Sequence, residues 1–582
     1  MVYLARLMDK QTDLNNLRHS AAHLLAAAVT ELYPDSKRTI GPAIDSGFYF
    51  DFDFNGESIS EEDLPKIEKK MTELLSSWSS VERHELTAEE AKKEFKGNEY
   101  KLELIEEFTK DGEKVTFYKS GDYWDLCKGG HVENPKQEIG AFKLLSIAGA
   151  YWRGSEKNKM LTRIYGTAFP SKQELEDYLS MLEEAKKRDH KKLGPALELF
   201  FFHETSPGMP YWLPNGVILY NELLNFWRIE HSKRGYQETF SPILNKKDLY
   251  VTSGHFDHYW QDMFVADMGE NELYGVKAMN CPNAMNIFSF KKRSYKELPL
   301  RFSDTDPLHR YELSGVLNGL FRVREFRQDD AHIFVMESQI EDEFKKLFEI
   351  VERFYSIFKL EYRFRLGTRP EKFMGDPKIW TNAEQSLEKI LKSSGQDFFI
   401  VEGEGAFYGP KIDILMKDSL GREWQMGTLQ LDFQQPLRFN LKFTDSDGQD
   451  KTPIAIHRVI YGSMERFIGL LIENYGGAFP VWLAPLQVKI IPISEKHNDY
   501  AETIFKMLKD KGIRVEADYR NDKMQAKIKD AQKMKIPYML ILGDKEVEAN
   551  TVTVRTREGE NTFGVSSEKF IEDLLSKITS KS

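Results

Sequence analysis

From residue 236 to residue 433, strand-like runs follow one another with few helices between them. YQETFSPIL, RFSDTDPLHRYE, LFRVREFRQDDAHIFV, YRFRLGT, AFYGPKIDILMKD and REWQMGTLQLDF are bounded by turn residues and rich in aromatic and β-branched positions. Helical patterns cover about 216–234, 338–358 and 460–475. A regular strand–helix–strand repeat, which would build a parallel sheet, is missing. The pattern predicts a large, mostly antiparallel sheet with helices outside it.

The flanks read differently. LNNLRHSAAHLLAAAVTELY predicts an amphipathic helix over 14–33, and GPAIDSGFYFDFDFNG a hairpin. Helices are expected at about 61–80 and 87–108, a loop over GDYWDLCKGGHVENP, and strands over AFKLLSIAGAYWRG and LTRIYGTAF. The charged stretch 171–193 predicts a connecting helix, broken by Gly194-Pro195. After GGAFPVWLAP, strand and helix alternate through QVKIIPI, IRVEADY, PYMLILG and TVTVRT, as in a small α/β domain. A chain of 582 residues has room for roughly four domains.

Composition excludes several classes. The two cysteines, Cys127 and Cys281, cannot supply a disulfide framework, so a reducing cytoplasm is expected. No apolar run is long enough for a transmembrane helix, and the first residues lack a secretory h-region, so no membrane association is expected. The net charge is −11, yet residues 485–582 hold 18 Lys+Arg against 16 Asp+Glu. Arg520, Lys523, Lys527, Lys529, Lys533 and Lys535 make this tail the basic part of an acidic chain. A solvated helix face would explain such a run, and so would a nucleic acid.

Two constellations carry chemistry. His19 and His23 lie four apart on one helix face, and CKGGH repeats that spacing with Cys127 and His131 in a glycine-rich loop. A zinc site or a metal-free hydrolytic site fits, and spacing does not separate them. In LHRYE, Arg310 and Glu312 stand at strand spacing, which would send both side chains from one face. FRVREFRQDDAHIF adds Arg322, Arg324, Arg327, Asp329, Asp330 and His332. Arginines suit bidentate phosphate clamping, and the carboxylates suit an ammonium group or Mg²⁺. There is no GxxxxGK[ST] loop and no GxSxG, which disfavours a P-loop ATPase and a serine hydrolase.

LHRYE…FRVREFRQDDAHIF resembles motif 2 of the class II aminoacyl-tRNA synthetases, and HRVIYGSMERFIGLLIENYGGAFPVWLAP resembles motif 3. AMNCPNAMNIF, RQDDAHIF, AFYGPKIDI, EWQMGTLQLDF and AIHRVIYGSMERF follow the order found in the threonyl-tRNA synthetase family, over nearly the whole chain. HSAAH with CKGGH resembles that family's editing domain. The implied fold is multidomain α+β. Residues 1–170 would form an N-terminal α+β editing domain, 171–193 a linker helix, 194–484 an antiparallel-sheet class II catalytic core, and 485–582 a C-terminal α/β anticodon-binding domain. The family's small ubiquitin-like (TGS) domain, common ahead of HSAAH, is expected to be lacking.

By the resemblance, Cys281, His332 and His457 match zinc ligands, one ion per subunit, although no local zinc motif links them. Three ligands leave zinc open to the amine and hydroxyl of L-threonine. Arg310 matches the arginine on the α-phosphate of ATP and the substrate carboxyl, and Glu312 a residue near adenine. Arg322 and Arg466 match holders of the ATP phosphates, with Mg²⁺ accompanying ATP. Asp330 and Tyr408 match groups on the substrate amine, while Gln328, Lys411, Gln425 and Gln430 line the pocket. Arg327, Met426 and Tyr311 depart from the family's usual threonine, cysteine and asparagine.

The implied activity is ATP-dependent formation of threonyl-adenylate and transfer to the 3′ end of tRNA(Thr). Serine differs from threonine by one methyl group, worth about 1–3 kcal/mol, so hydrolytic editing of seryl-tRNA is expected. His19, His23, Cys127 and His131 match the editing residues, which would position water and ribose hydroxyls without metal. Asn521, Glu546 and Arg555 match anticodon contacts. GVILYNELLNFWRIEHSKRGYQETFSPIL is the candidate motif 1, through which class II enzymes form homodimers. A seryl or prolyl enzyme would lack this zinc trio beside this editing domain. A non-catalytic RNA binder would be expected to have lost Arg310, Arg466 or a zinc ligand.

Overall fold

Alanines crowd the middle of the first helix, α1 (Val2–Leu32), and Ala21, Ala22, Ala26 and Ala28 are fully buried there. Such small side chains let a sheet lie close, and Phe48, Phe50, Phe52 and Ile164 supply the bulk from the facing strands. The computed structural model describes residues 2–44, 46–110, 113–270, 272–418 and 421–581, without the side chains of 2–12. The chain divides into two units, Met1–Glu184 and Ala185–Ser582.

In the first unit, Gly47–Asp53, Met160–Phe169 and Ala141–Tyr151 run antiparallel under α1, with Lys37–Arg38 and Ala43–Ile44 at the edge. A second sheet joins Glu82–Leu86, Val115–Ser120 and Tyr123–Leu126. The expected loop at GDYWDLCKGGHVENP therefore begins as a strand, and Pro135–Glu138 forms a short helix. The expected helix over 87–108 is two, Ala88–Glu94 and Glu99–Phe108. They part at Gly97, where φ is +91°, and Asn98 accepts the Lys101 N–H at 3.2 Å to cap the second. The connecting helix stops at Arg188. Asp189 then accepts the Lys191 N–H at 2.8 Å and opens α2 (His190–Ala196). The break thus precedes Gly194-Pro195, which lie inside α2.

The second unit is organised by one sheet of eight strands: β1 (Gln237–Glu238), β2 (Leu300–Asp304), β3 (Asp330–Val335), β4 (Tyr362–Gly367), β5 (Phe398–Val401), β6 (Lys411–Lys417), β7 (Glu423–Asp432) and β8 (Ile454–Val459). Their order is β1-β2-β3-β8-β7-β6-β4-β5, antiparallel except for the two edge pairs. Ile333, Val335, Ile412, Ile414, Leu429 and Ile456 join a core with α3 (Pro214–Ser232), the helix Ile340–Ser356 and α5 (Met464–Tyr475). Phe302 and Phe334 pack on the other side with Met285 and Phe288 of α4 (Cys281–Ser289). Within YQETFSPIL only Gln237–Glu238 is a strand, and a separate one starts at Leu244.

Register positions the site. His332 on β3 pairs with His457 on β8, His457 with Gln430 on β7, and Gln430 with Lys411 on β6. Directly opposed residues share a face, so four residues scattered over the chain form one row. The tail has a sheet of Val515–Ala517, Val488–Pro492, Tyr538–Leu542, Thr551–Thr556 and Asn561–Ser566, with both parallel and antiparallel pairs.

Candidate functional site: two cysteine–histidine clusters and an arginine-lined pocket

The row on the large sheet meets α4 at its first residue. One ligand atom each from Cys281, His332 and His457 lies within 4.8 Å of the others. Helix N-termini favour a thiolate over a thiol. Burial works against that and pushes the Cys281 thiol up, while His457 pulls it down. His332 is fully buried, burial lowers it to about 4, and neither ring nitrogen has a hydrogen-bond partner. His457 places Nε2 at 2.8 Å from Asp432 Oδ2, so Nε2 carries a proton, and Nδ1, which has no hydrogen-bond partner, is the nitrogen from which a metal would displace a proton. Burial alone would lower His457, but the Cys281 sulfur and the Asp432 carboxylate outweigh it and raise it to about 10.

Unsatisfied buried nitrogens beside a sulfur are costly in a protein interior unless something coordinates them. One sulfur and two imidazoles suit zinc, so the donor set fits that ion. Asp432 had no signal in the sequence. Its Oδ1 accepts the Gln434 and Gln435 N–H groups at 2.7 and 3.0 Å, which leaves Oδ2 aimed at His457. Such an outer carboxylate fixes ring orientation and tautomer at metal-binding histidines.

Around the trio stand the other expected pocket residues. Asp330 shares the face of His332 and accepts a hydrogen bond from Asn280 Nδ2 at 3.0 Å. The Tyr408 hydroxyl donates to Gln430 Oε1. Asp413, buried beneath them, accepts from Gln425 Nε2 at 2.7 Å and Arg365 Nη2 at 2.7 Å, and pairs with Lys411 at 3.1 Å. Arg365 and Asp413 hold Lys411 and Gln425 in place and were not singled out from the sequence. Gln328 sits at an isolated bridge to Ser463, just ahead of α5.

Three arginines converge beside this wall. Arg310 packs on the Phe326 ring and donates from Nε to the Ala278 carbonyl at 3.3 Å. Arg322 pairs with Glu312 through Nε at 3.0 Å and Nη2 at 2.9 Å. Arg466, on α5, donates from Nε to the Phe321 carbonyl at 2.9 Å and from Nη1 to the Gln425 carbonyl at 2.7 Å. Burial, then the charges of Arg310 and Arg322, lower Arg466 to about 10. It stays a cation at neutral pH. Arg310 and Glu312 do not share the strand face that their spacing predicts: the strand Pro307–His309 ends before them, and both residues lie beyond it. The Arg310 N–H still bonds the Arg324 carbonyl at 2.9 Å, and it is the Arg322 ion pair that orients Glu312.

In the first unit, His19, His23, Cys127 and His131 also bring ligand atoms within 4.8 Å of one another. Here the hydrogen bonds fix the tautomers. His19 Nδ1 faces the Gly130 carbonyl at 3.2 Å and must donate, so Nε2 presents a lone pair to Cys127 Sγ at 3.5 Å. The Ser20 hydroxyl donates to the Asn16 carbonyl at 3.0 Å, so His131 Nδ1, 3.2 Å away, donates to Ser20. His131 Nε2 then also offers a lone pair to Cys127, at 3.2 Å. Burial raises the Cys127 thiol to about 11 and lowers His131 to about 3. Burial lowers His19 as well and takes His23 well below its usual value. A neutral thiol thus sits between two imidazole lone pairs. One S–H cannot serve both, and the spare acceptor suits a water or a hydroxyl. Ser20 is another contributor without a sequence signal.

In the tail, Asn521 is exposed in a loop. Glu546 accepts from the Gly543 N–H at 2.9 Å and the Thr553 hydroxyl at 2.7 Å. Arg555 donates to the Gly559 carbonyl at 2.9 Å and to Asn561 Oδ1 at 3.1 Å. Lys527 is not part of a solvated face. It is buried and donates to the Asp518 carbonyl at 2.9 Å.

Family models match three stretches: the tRNA synthetase class II core domain (G, H, P, S and T) at 259–475, an anticodon binding domain at 487–577, and the threonyl and alanyl tRNA synthetase second additional domain at 115–165. The first spans all three zinc-suited residues, and the last spans Cys127 and His131. The threonine–tRNA ligase of Thermotoga sp. (strain RQ2) is 50% identical over 567 residues, covering 97% of this chain and 88% of that one. The threonine–tRNA ligase of Acetivibrio thermocellus is 49% identical over 575 residues, covering 98% and 90%. Among solved structures, the RNA binding domain of threonyl-tRNA synthetase from Cryptosporidium parvum Iowa II matches with TM-score 0.64 and 40% identity, over 67% of this chain and 98% of that one. With half the residues shared along almost its full length, and with all of one cluster and Cys127 and His131 of the other inside matched domains, the chain belongs to the threonine–tRNA ligase family of class II aminoacyl-tRNA synthetases.

Proposed function

We infer that the pocket built on the β3–β8–β7–β6 row is where this threonine–tRNA ligase activates its amino acid, and that the Cys127 cluster is where it edits. The observation that carries the reading is the convergence of Cys281, His332 and His457 beside three arginines. ATP, with Mg²⁺, threonine and tRNA are the substrates. A carboxylate oxygen of threonine attacks the α-phosphorus of ATP, pyrophosphate leaves, and a 3′-terminal ribose hydroxyl then displaces AMP. The protein's task is positioning and charge stabilisation. Arg310 bridges the carboxylate and the α-phosphate, Arg322 and Arg466 hold the outer phosphates, and Glu312 stands beside adenine. Asp330 and Tyr408 take the amine, while Gln328, Lys411, Gln425 and Gln430 shape the pocket. Cys281, His332 and His457 would hold a zinc ion, which would supply a Lewis-acid site able to take both amine and hydroxyl of threonine, a hydroxyl that valine lacks.

At the Cys127 cluster, neutral groups orient a water toward the seryl ester. The spare Nε2 lone pair of His19 or His131 accepts its proton or that of a ribose hydroxyl. A thiol raised to about 11 is no nucleophile at neutral pH, which argues for orientation rather than covalent catalysis. Residues 1–170 are assigned to editing, 171–193 to the link, 194–484 to ligation and 485–582 to the anticodon, with Asn521, Glu546 and Arg555 as contacts. Free thiols at Cys127 and Cys281 support a cytoplasmic setting.

The test is pyrophosphate exchange with threonine, serine and valine, zinc being quantified in the same sample, followed by deacylation of seryl-tRNA. Threonine and serine are expected to support exchange and valine not. Cys127→Ala is expected to slow release of serine about 10²-fold while threonine-dependent exchange holds. Equal deacylation by variant and parent would remove Cys127 from the hydrolytic site.

We further propose a homodimer through motif 1. Phe240 is 71% exposed, Leu244 53% and Val217 42%, which puts large apolar side chains of that segment within reach of a second copy. Sedimentation at micromolar concentration should give twice the chain mass, and Phe240→Asp should shift it toward the monomer. A monomeric parent protein would refute the interface.

A further inference from the structure

We propose that His190 is a positioning residue that locks the supports of Arg322 and Arg466 together. The inference rests on the reading that those arginines hold the ATP phosphates. His190 is the first residue of α2 and only 1% exposed. The Leu320 N–H donates to its Nε2 at 3.0 Å. Nε2 therefore bears the lone pair and Nδ1 the proton, which goes to Glu473 Oε1 at 2.7 Å. The same carboxylate oxygen receives the His190 backbone N–H at 3.4 Å. Both ring nitrogens are spent, so His190 itself has no lone pair left for an ion.

The two partners of His190 are the two supports. Glu473 lies on α5 two turns after Arg466, on the same helix face. Leu320 precedes Phe321, whose carbonyl accepts Arg466 Nε at 2.9 Å, and Phe321 precedes Arg322. The Asn318 N–H reaches the Arg322 carbonyl at 3.1 Å and closes this turn, and the Phe321 ring stands 4.3 Å from the His190 ring. The fit is tight at Gly319: a Cβ there would lie 2.3 Å from His190 Nε2, and its φ is +50°. A glycine is required where the histidine seats the turn. With the imidazole in place, the motif 2 turn and the motif 3 helix keep one spacing. Without it, each arginine is still present but its support moves independently.

The experiment is threonine-dependent pyrophosphate exchange on the full chain, with ATP and threonine titrated separately. His190→Ala is expected to raise KM for ATP about 10-fold, with KM for threonine within about twofold of the parent. Zinc content and seryl-tRNA deacylation should hold, since neither reads this turn. Gly319→Ala should raise KM for ATP in the same way with the histidine retained, and it carries the test if His190→Ala does not fold. The double variant should be no worse than the more severe single one, because both break one contact. An unchanged KM for ATP in His190→Ala, with a raised one in Arg466→Ala, would overturn the inference alone. An equal rise in both KM values, tracking a fall in Tm, would overturn it in favour of a merely structural role. An unchanged KM for ATP in Arg466→Ala would remove the phosphate reading and the inference with it.

Discussion

Cys281→Ala protein is expected to be purified without zinc and to lose threonine-dependent pyrophosphate exchange by about 10³-fold or more. Two imidazoles remain in that variant, and two ligands do not hold zinc as three do. The histidines are set up to depend on the sulfur. Both nitrogens of His332 and Nδ1 of His457 lack partners in the protein, so removing Cys281 leaves two buried imidazoles with no third donor to converge with. Selectivity should fall with the metal. Residual exchange in the variant should discriminate threonine from valine by only the modest factor available to an apolar pocket, about 10²-fold at most. Zinc analysis with exchange against both amino acids decides the matter. Parental metal content in Cys281→Ala would remove this residue from the ligand set.

Arg466→Ala should lower threonine activation by about 10²–10³-fold and leave zinc content at the parental level. The guanidinium is held from two sides, by the carbonyls of Phe321 and Gln425, which fixes its plane and leaves Nη2 and the second Nη1 N–H to meet a phosphate. Arg310 and Arg322 repel it, and burial with their charges lowers it to about 10. Phosphate oxygens relieve that repulsion, which ties the cost of assembling the cations to the presence of ATP. Arg466→Lys should not restore activity. A single ammonium cannot bond both carbonyls and a phosphate in a fixed plane. Exchange rates at saturating threonine, with ATP varied, check both variants, and a lysine variant near the parental rate would contradict the planar-clamp account.

Much of the architecture was legible because strands announce themselves by alternation and helices by their caps. The large sheet, the hairpin at Gly47–Asp53 and the alternating tail all followed from local pattern. The breaks were harder. Asn98 and Asp189 each start a new helix through a single side-chain cap, and in stretches so rich in charged helix formers the Gly97-Asn98 pair and Asp189 are outweighed by the helical pattern on either side. The zinc-suited trio was reachable only through family resemblance, since its members meet through strand pairing and not through spacing. Asp432, Asp413, Arg365, Ser20 and His190 carry no local signal. Each is an ordinary polar residue until the fold shows which atom it holds. Lys527 illustrates the converse, a basic residue in a basic run that the fold buries.

The row from His332 to Lys411 has a last consequence. A slip of one residue in β3 or β8 would turn the imidazole on that strand toward the helices and away from its partner. Zinc uptake at this trio would therefore act as an assembly gauge. An ion that needs both imidazoles would be captured only after the two central ribbons have zipped in their final alignment, so a chain that carries zinc there would be one that reached the native pairing.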